Sequence, residues 1–296
     1  MQPLVSVFVL TYNHEKYIEQ ALDGILNQKV NFNYEIVIGD DYSTDATRSI
    51  LLQYQTRNPD KINLLLHPHN LGAMVNQLAT IKACKGKYMA ICEGDDYWTD
   101  CFKLQRQIDF LETNPEYSVC FHNVEYRYHS EKIPSVLALS IEEPTTSSFR
   151  DLAIRNNYIP TCSVVYRNKF SEEFIELLKI SKIGDWVLSL FISQTGKIHY
   201  IPNVMGVYRV HSGGVWGKLN KEERFLLLMD TIDKLILFFG KSPEHVQYLN
   251  EGKRILTKKH KQQKSANGVI QKTLSFIKKT FMYCTPYYLV IKFKSK

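Results

Sequence analysis

Lys87-Tyr88-Met89-Ala90-Ile91-Cys92 runs directly into Glu93-Gly94-Asp95-Asp96-Tyr97-Trp98. An apolar, strand-like run thus stops at three carboxylates within four residues. Gly94 invites a bend there, because glycine tolerates positive φ. Carboxylates this close repel and need compensation. A divalent cation held through oxygen supplies it and can share its remaining positions with phosphates. An Asp-rich turn that caps a helix accounts for the same residues, since Asp favours turns by local hydrogen bonding. The rest of the chain decides between the two.

Upstream, residues 5–10 (Val-Ser-Val-Phe-Val-Leu) have the composition of a strand buried on both faces. Thr11-Tyr12-Asn13-His14 breaks the run, and residues 15–26 then space Tyr17, Ile18, Ala21, Leu22, Ile25 and Leu26 as one helix face. A second strand, residues 34–39, ends at Asp40-Asp41-Tyr42-Ser43-Thr44-Asp45-Ala46-Thr47, which can cap a helix through Ile50, Leu51 and Tyr54. A third strand spans 62–66. The turn Pro68-His69-Asn70-Leu71-Gly72 and a helix over 73–83 lead to the acidic stretch.

This β-α-β-α-β-α-β order predicts an α/β fold with a doubly wound, mainly parallel sheet flanked by helices. Ligands in such sheets bind beyond the carboxyl ends of the strands. Thr11, Asp40, Asp41 and the acidic cluster all follow strands, so the pattern sends them to one rim. Neither Gly-x-Gly-x-x-Gly nor a glycine-rich loop ending in Lys-Ser/Thr follows the first strand. Phosphates at this rim would therefore be held by a metal and not by a glycine-rich backbone cradle.

The 296 residues suffice for one large domain or two modest ones, and 44% hydrophobic with 23% charged residues fits a globular chain. Met1 to Val7 reads as the approach to a strand without a basic flank, so no secretory leader is expected. No apolar run approaches the roughly 20 residues that span a bilayer. The six cysteines are scattered without a Cys-x-x-Cys pair, and are expected to be reduced, in a cytoplasmic protein. The net charge of +7 is unevenly placed: residues 241–296 hold 13 Lys and Arg against 2 Asp and Glu, so residues 1–240 are net acidic. A basic tail suits an anionic surface, membrane or nucleic acid, and a solvated helix face equally explains it.

Beyond Trp98, an amphipathic helix over 103–111 ends at Asn114-Pro115, and a strand-like run over 117–123 leads on through Val124-Glu125-Tyr126-Arg127-Tyr128. Residues 130–148 read as a surface loop able to cover a site. A short helix over 151–156, a strand over 160–167, a helix after Asp185-Trp186 and a strand over 197–201 follow, then Val207-Tyr208-Arg209-Val210-His211 and Ser212-Gly213-Gly214-Val215-Trp216. From Lys221 the chain turns strongly helical, with an apolar helix up to Gly240 and another from Ser242-Pro243-Glu244 to about 264. A last segment over 269–281 sets Leu274, Ile277 and Phe281 against Lys272, Lys278 and Lys279, and ends in Tyr287-Tyr288-Leu289-Val290-Ile291-Lys292-Phe293-Lys294. This pattern suits an interfacial helix on an anionic membrane, a helical cap on the body or a homo-oligomer contact.

Taken in order, residues 7–13 with Asn27-Gln28, then Ile38 to Thr47, then Asn70-Leu71-Gly72, then the acidic cluster resemble an inverting family 2 glycosyltransferase of the GT-A fold. Further matches run to about residue 216. The resemblance implies a GT-A domain over 1–217, with a nucleotide-sugar half (1–100) and an acceptor half (101–217), followed by a basic helical extension over 218–296. It implies donor contacts from Thr11, Tyr12, Asn13, Asp40, Asp41, Asn70, Gly72, Glu93, Gly94, Asp95 and Arg209. A carboxylate can accept the imide N–H of uracil or the ribose hydroxyls, and Asp45 would instead cap the next helix. Asp95 becomes the main ligand to Mn2+ or Mg2+, with Glu93, Asp96 and His211 as further metal candidates. Glu93 departs from the commoner Asp in the first slot of Asp-x-Asp.

Asp185 matches the family's catalytic base, with a helix N-cap as the alternative. Thr161, Ser163 and Trp186 would face the acceptor, although strand hydroxyls serve structure just as often and Trp186 can instead pack under the site. The implied activity is metal-dependent transfer, with inversion, from a nucleoside diphosphate sugar, UDP-linked, to a glycan or lipid-linked acceptor in surface polysaccharide synthesis. Peripheral contact with the inner face of the cell membrane through the tail is a further expectation, and a homo-oligomer is open. The alternatives are a binding module of the same fold without transfer and, supported by the tail alone, a nucleic-acid-binding protein.

Overall fold

The computed structural model describes residues 2–130, 132–214 and 219–283, with the backbone alone for Ile180 and residues 265–283. Trp216, Cys284 and the expected terminal stretch over 287–294 lie outside the described residues, and the side chains of the amphipathic segment over 269–281 likewise.

The first half follows the expected alternation: β1 (Val5–Thr11), α1 (Ile18–Leu26), β2 (Tyr34–Asp40), α2 (Thr47–Arg57), β3 (Ile62–Leu66), α3 (Ala73–Ala83) and β4 (Tyr88–Ile91). Strands β1, β2, β3 and β4 pair in parallel, in the order β3-β2-β1-β4. Alternation along β1, with both faces covered, explains why it is apolar apart from Ser6 and Thr11. Val5, Val7 and Val9 enter one core with Ile18, Leu22, Ile36 and Ile38, while Phe8 enters the other with Met89, Ile91 and Phe121. Burying each such side chain contributes about 1.5–3 kcal/mol.

The second half adds β5 (Tyr97–Trp98), α4 (Lys103–Thr113), β6 (Tyr117–Tyr128), β7 (Val136–Leu137), β8 (Thr146–Ser147), α5 (Phe149–Arg155), β9 (Val165–Arg167), α6 (Glu172–Ile180), α7 (Gly184–Ser193) and β10 (Lys197–Val210). The sheet continues β4-β9-β6-β10-β5, with β9 antiparallel to both neighbours and β6 parallel to β10. Three expectations change here. The strand expected over 160–167 begins as a 3-10 turn, Thr161–Ser163, and only Val165–Arg167 pairs. The two runs flanking Pro202 form one long strand, β10, which absorbs the interruption as register shifts against β6 between Ile201 and Gly206. The loop over 130–148 carries β7 and β8 on the sheet margin.

The C-terminal extension forms α8 (Lys221–Phe238) and α9 (Pro243–Tyr283). It packs on the body: Ile232, Leu235, Phe239 and Leu249 are buried in the same core as Phe149 and Leu152. The Phe149 and Phe239 rings meet edge to face at 5.3 Å. Helix α9 runs on without the break expected near 264, and its Arg254, Lys258, Lys259 and Lys261 are exposed. No helix among the described residues is long and apolar enough to cross a membrane.

Candidate active site

The rim formed by the ends of β1, β2 and β4 gathers the expected residues, but it does not use them alike. Asp40 is fully buried and already engaged. Its Oδ2 accepts from the Ser43 N–H at 3.1 Å and from Arg48 Nε at 2.6 Å, and its Oδ1 accepts from the Ser43 hydroxyl. The Asp41 carboxylate accepts the Leu71 N–H at 2.7 Å and the Gly72 N–H at 3.0 Å, while Asn70 Nδ2 donates to the Asp41 carbonyl at 3.1 Å. The Asn70-Leu71-Gly72 turn is thereby locked to the end of β2, and Gly72 supplies the φ of +86° that the turn requires. Asp45 accepts the Thr47 N–H at 3.0 Å and the Glu15 N–H at 3.1 Å, so it holds the start of α2 as expected and also ties down the β1 loop. Thr11 Oγ1 is buried without a partner among the described residues, while Tyr12 is half exposed at the rim.

Gly94 corrects its sequence reading. It has no positive φ. It is glycine because a Cβ there would lie 2.8 Å from His14 Nδ1 and 3.0 Å from Thr11 Cβ. This tight approach brings the β1 loop against the acidic turn.

Asp95 is the electrostatic centre. Its Oδ2 lies 3.0 Å from His211 Nε2 and 3.7 Å from His14 Nε2. Burial opposes its ionisation, yet the hydrogen bond from His211 and the nearby His14 outweigh burial and hold its pKa below the usual carboxylate range. Glu93 and Asp96 move the other way. Burial, then the charges of Asp96, Asp95 and Asp185, push Glu93 well up, and its Oε2 is buried without a partner among the described residues. Burial and then Asp95 raise Asp96, whose Oδ1 accepts the Arg209 N–H at 2.8 Å and so pins β10 over the turn. The Arg209 guanidinium donates to the Asp95 carbonyl at 2.5 Å and lies 4.4 Å above the Tyr97 ring. Burial, and then the charges of Asp96, Glu93, Asp185 and Asp95, raise the Tyr208 hydroxyl.

Asp185 approaches this cluster from α7. It is not the N-cap: Ile183 is, and Asp185 is the second residue of the helix. Its Oδ2 accepts from Asn157 Nδ2 at 2.7 Å and from Thr161 Oγ1 at 3.2 Å. Burial raises its pKa, against the helix-start amides and these two donors. Two acceptor-side expectations fail on geometry. Ser163 is fully buried with its hydroxyl bonded to the Pro160 carbonyl at 2.6 Å. Trp186 is likewise fully buried in the core, its indole N–H directed at the Leu152 carbonyl at 3.4 Å. Neither can touch a sugar.

The donor chemistry suits a hard divalent ion. Asp95 is poised as an anion, Glu93 Oε2 is orphaned, and His211 faces Asp95. No three His, Cys, Asp or Glu among the described residues form a closed cation cage. An ion held by one or two side chains and shared with substrate phosphates needs none. Sequence reasoning passed over His14 and Asn157. The rim rule that selected Thr11 covers His14, three residues further along the same loop. Asn157, in a connection after a short helix, carries no local signal.

Fold and rim together define the class, a GT-A glycosyltransferase. The chain belongs to glycosyl transferase family 2, whose sequence profile matches residues 6–174. It is 38% identical over 224 residues to uncharacterised proteins of Mycobacterium tuberculosis and Mycobacterium bovis, covering 74% of this chain and 62% of theirs. It thus spans less than two thirds of the length of these relatives. It is 30% identical over 220 residues to Escherichia coli WfaP, named as a UDP-Glc:α-D-GlcNAc-diphosphoundecaprenol β-1,3-glucosyltransferase, covering 74% of this chain and 82% of WfaP. Among solved structures, S. aureus TarS in complex with UDP-GlcNAc matches with a TM-score of 0.63 at 19% identity, over 85% of this chain and 71% of that one. The mannosyltransferase PcManGT from Pyrobaculum calidifontis, in complex with GDP-Man and Mn2+, matches at 0.53 and 16%, over 86% and 70%. At such identities these structures speak for the fold.

Proposed function

We propose that the chain transfers a sugar, with inversion, from a nucleoside diphosphate sugar to a glycan or lipid-linked acceptor, and that UDP carries the donor. The observation that carries this reading is the split rim. Asp95, held ionised beside His211 and His14, lies on the turn after β4, and Asp185, held by Asn157 and Thr161 at the start of α7, adds its charge to the same acidic cluster.

On the donor side, the loops anchored by Asp40 and Asp41 shape the base and ribose pocket, with Thr11, Tyr12, Asn13, Asn70, Gly72 and Gly94 along it. Arg209 offers guanidinium N–H groups to diphosphate oxygens. Asp95, with His211 beside it, would hold Mn2+ or Mg2+, which supplies Lewis-acid stabilisation of the departing diphosphate. Asp96 is left to its structural bond with β10. On the acceptor side, inversion requires attack from the face opposite the leaving group. Asp185 takes the hydroxyl proton as that bond forms, an effect worth about 10²–10⁴-fold. Thr161 stays close through its bond to Asp185. The exposed cations of α9 favour an acceptor presented at an anionic membrane surface. The name of one relative, WfaP, agrees with a UDP donor and a lipid-linked acceptor.

The test is release of nucleoside diphosphate from a panel of UDP-, GDP-, CDP- and dTDP-sugars with Mn2+, for wild type and Asp185→Asn. Turnover of one donor, lost in the variant while nucleotide binding stays, supports the reading. Equal loss of binding and turnover in the variant removes Asp185 as the base. Binding without turnover by the wild type with every donor identifies a non-catalytic module.

A further inference from the structure

Asn157 has no role in the fold that its surroundings explain. Its amide nitrogen donates to Asp185 Oδ2 at 2.7 Å, which is its one side-chain hydrogen bond among the described residues. Its carbonyl oxygen is buried with no partner among the described residues. The carboxylate fixes the orientation of the amide, since only the N–H end can face it. The chain bends sharply to deliver this residue. Helix α5 ends at Arg155, and Asn156 adopts φ 62° and ψ −170°, a region that suits glycine and strains other residues. Strain and an orphaned buried carbonyl are two local costs at consecutive positions. What they secure is one hydrogen bond to Asp185. Thr161, reaching from the 3-10 turn, lands on the same oxygen at 3.2 Å. Both side-chain donors therefore converge on one oxygen, Oδ2, and fix the plane of the carboxylate.

We propose that Asn157 is a positioning residue for transfer: it fixes the orientation of the Asp185 carboxylate toward the acceptor hydroxyl. The proposal rests on the reading of Asp185 as the base. It assigns no contact with donor or metal to Asn157, so its removal should slow chemistry and leave nucleotide binding intact. A misplacement of about 1 Å in a reacting group costs up to about 10²-fold in rate.

The test uses the full chain with two near-isosteric changes, Asn157→Leu, which removes the donor, and Asn157→Asp, which sets a second carboxylate against the first. UDP affinity with Mn2+ is measured by calorimetry. The kcat and KM for release of UDP from UDP-N-acetylglucosamine and UDP-glucose are measured with water as acceptor. The expected result is a kcat lowered about 10–100-fold in Asn157→Leu and further in Asn157→Asp. UDP affinity and donor KM should stay within about twofold of wild type. Wild-type kcat in Asn157→Leu overturns the proposal, and so does a parallel loss of UDP affinity, which marks a merely structural residue. A wild type that neither binds UDP nor releases it from either sugar overturns the transferase reading itself, and this proposal with it.

Discussion

Replacing Gly94 by alanine places a methyl carbon 2.8 Å from His14 Nδ1, 3.0 Å from Thr11 Cβ and 3.1 Å from Ile18 Cδ1. Ordinary contact begins near 3.5 Å, so three neighbours on two elements must give way together. Thr11 and Ile18 are buried and cannot retreat into solvent. Overpacking of this kind costs about 1–3 kcal/mol. For a chain of this size that lowers the melting temperature by roughly 3–10 °C. The same push moves the His14 ring from its place 3.7 Å from Asp95, so UDP affinity in Mn2+ should fall as well. Urea unfolding and calorimetry read the two effects. The double variant His14→Ala/Gly94→Ala separates sterics from backbone strain, because removing the ring removes the closest contact. It should recover part of the stability lost relative to His14→Ala. A Gly94→Ala variant with wild-type stability, or a double variant that recovers none, refutes the packing argument.

Other consequences are equally direct. Trp186→Ala should cost about 3–5 kcal/mol in urea unfolding, because the ring fills core and not an acceptor subsite. Burial raises Asp185, and the base must be ionised, so the acid limb of the pH–rate profile should fall above the ordinary carboxylate range. Lys103 is fully buried with Nζ 3.8 Å over the Trp98 ring and no hydrogen-bond partner among the described residues, and burial depresses it to about 7. The folded state then binds fewer protons than the unfolded chain, so stability should rise between pH about 7 and about 10.5. Lys103→Met should flatten that rise and be more stable than wild type at pH 6, as pH-dependent urea unfolding will show.

Where residues act through their neighbours in sequence, the fold was legible. The apolar run of β1, the helical spacing of α1 and the carboxylates after β4 sufficed to predict a parallel sheet and its ligand rim. The second half was harder to read because its geometry depends on distant pairing. Strand β9 is three residues long and antiparallel between β4 and β6, and nothing local to it signals that. Strand β10 passes through Pro202 by shifting register, where a proline ordinarily argues for a break. The candidate site divides in the same way. Asp95 and Asp185 were read from motif and resemblance, and their opposite environments follow from what packs on them. Asp40 and Asp41 lie at the rim as expected, yet their carboxylates bind Ser43, Arg48 and the Leu71-Gly72 amides. Those partners lie in other loops or across a turn, so sequence could place the carboxylates but not say which groups they hold.

The central claim is that Asp95 and a divalent ion together hold the diphosphate of a nucleotide. Calorimetric titration of UDP into wild type and Asp95→Asn, each in Mn2+ and in EDTA, tests it most directly. The account predicts binding by wild type in Mn2+ alone, stabilising the fold by about 2.7 kcal/mol at 100 times the dissociation constant, and loss of that binding in the variant. UDP binding of equal strength in EDTA, or undiminished in Asp95→Asn, would contradict it.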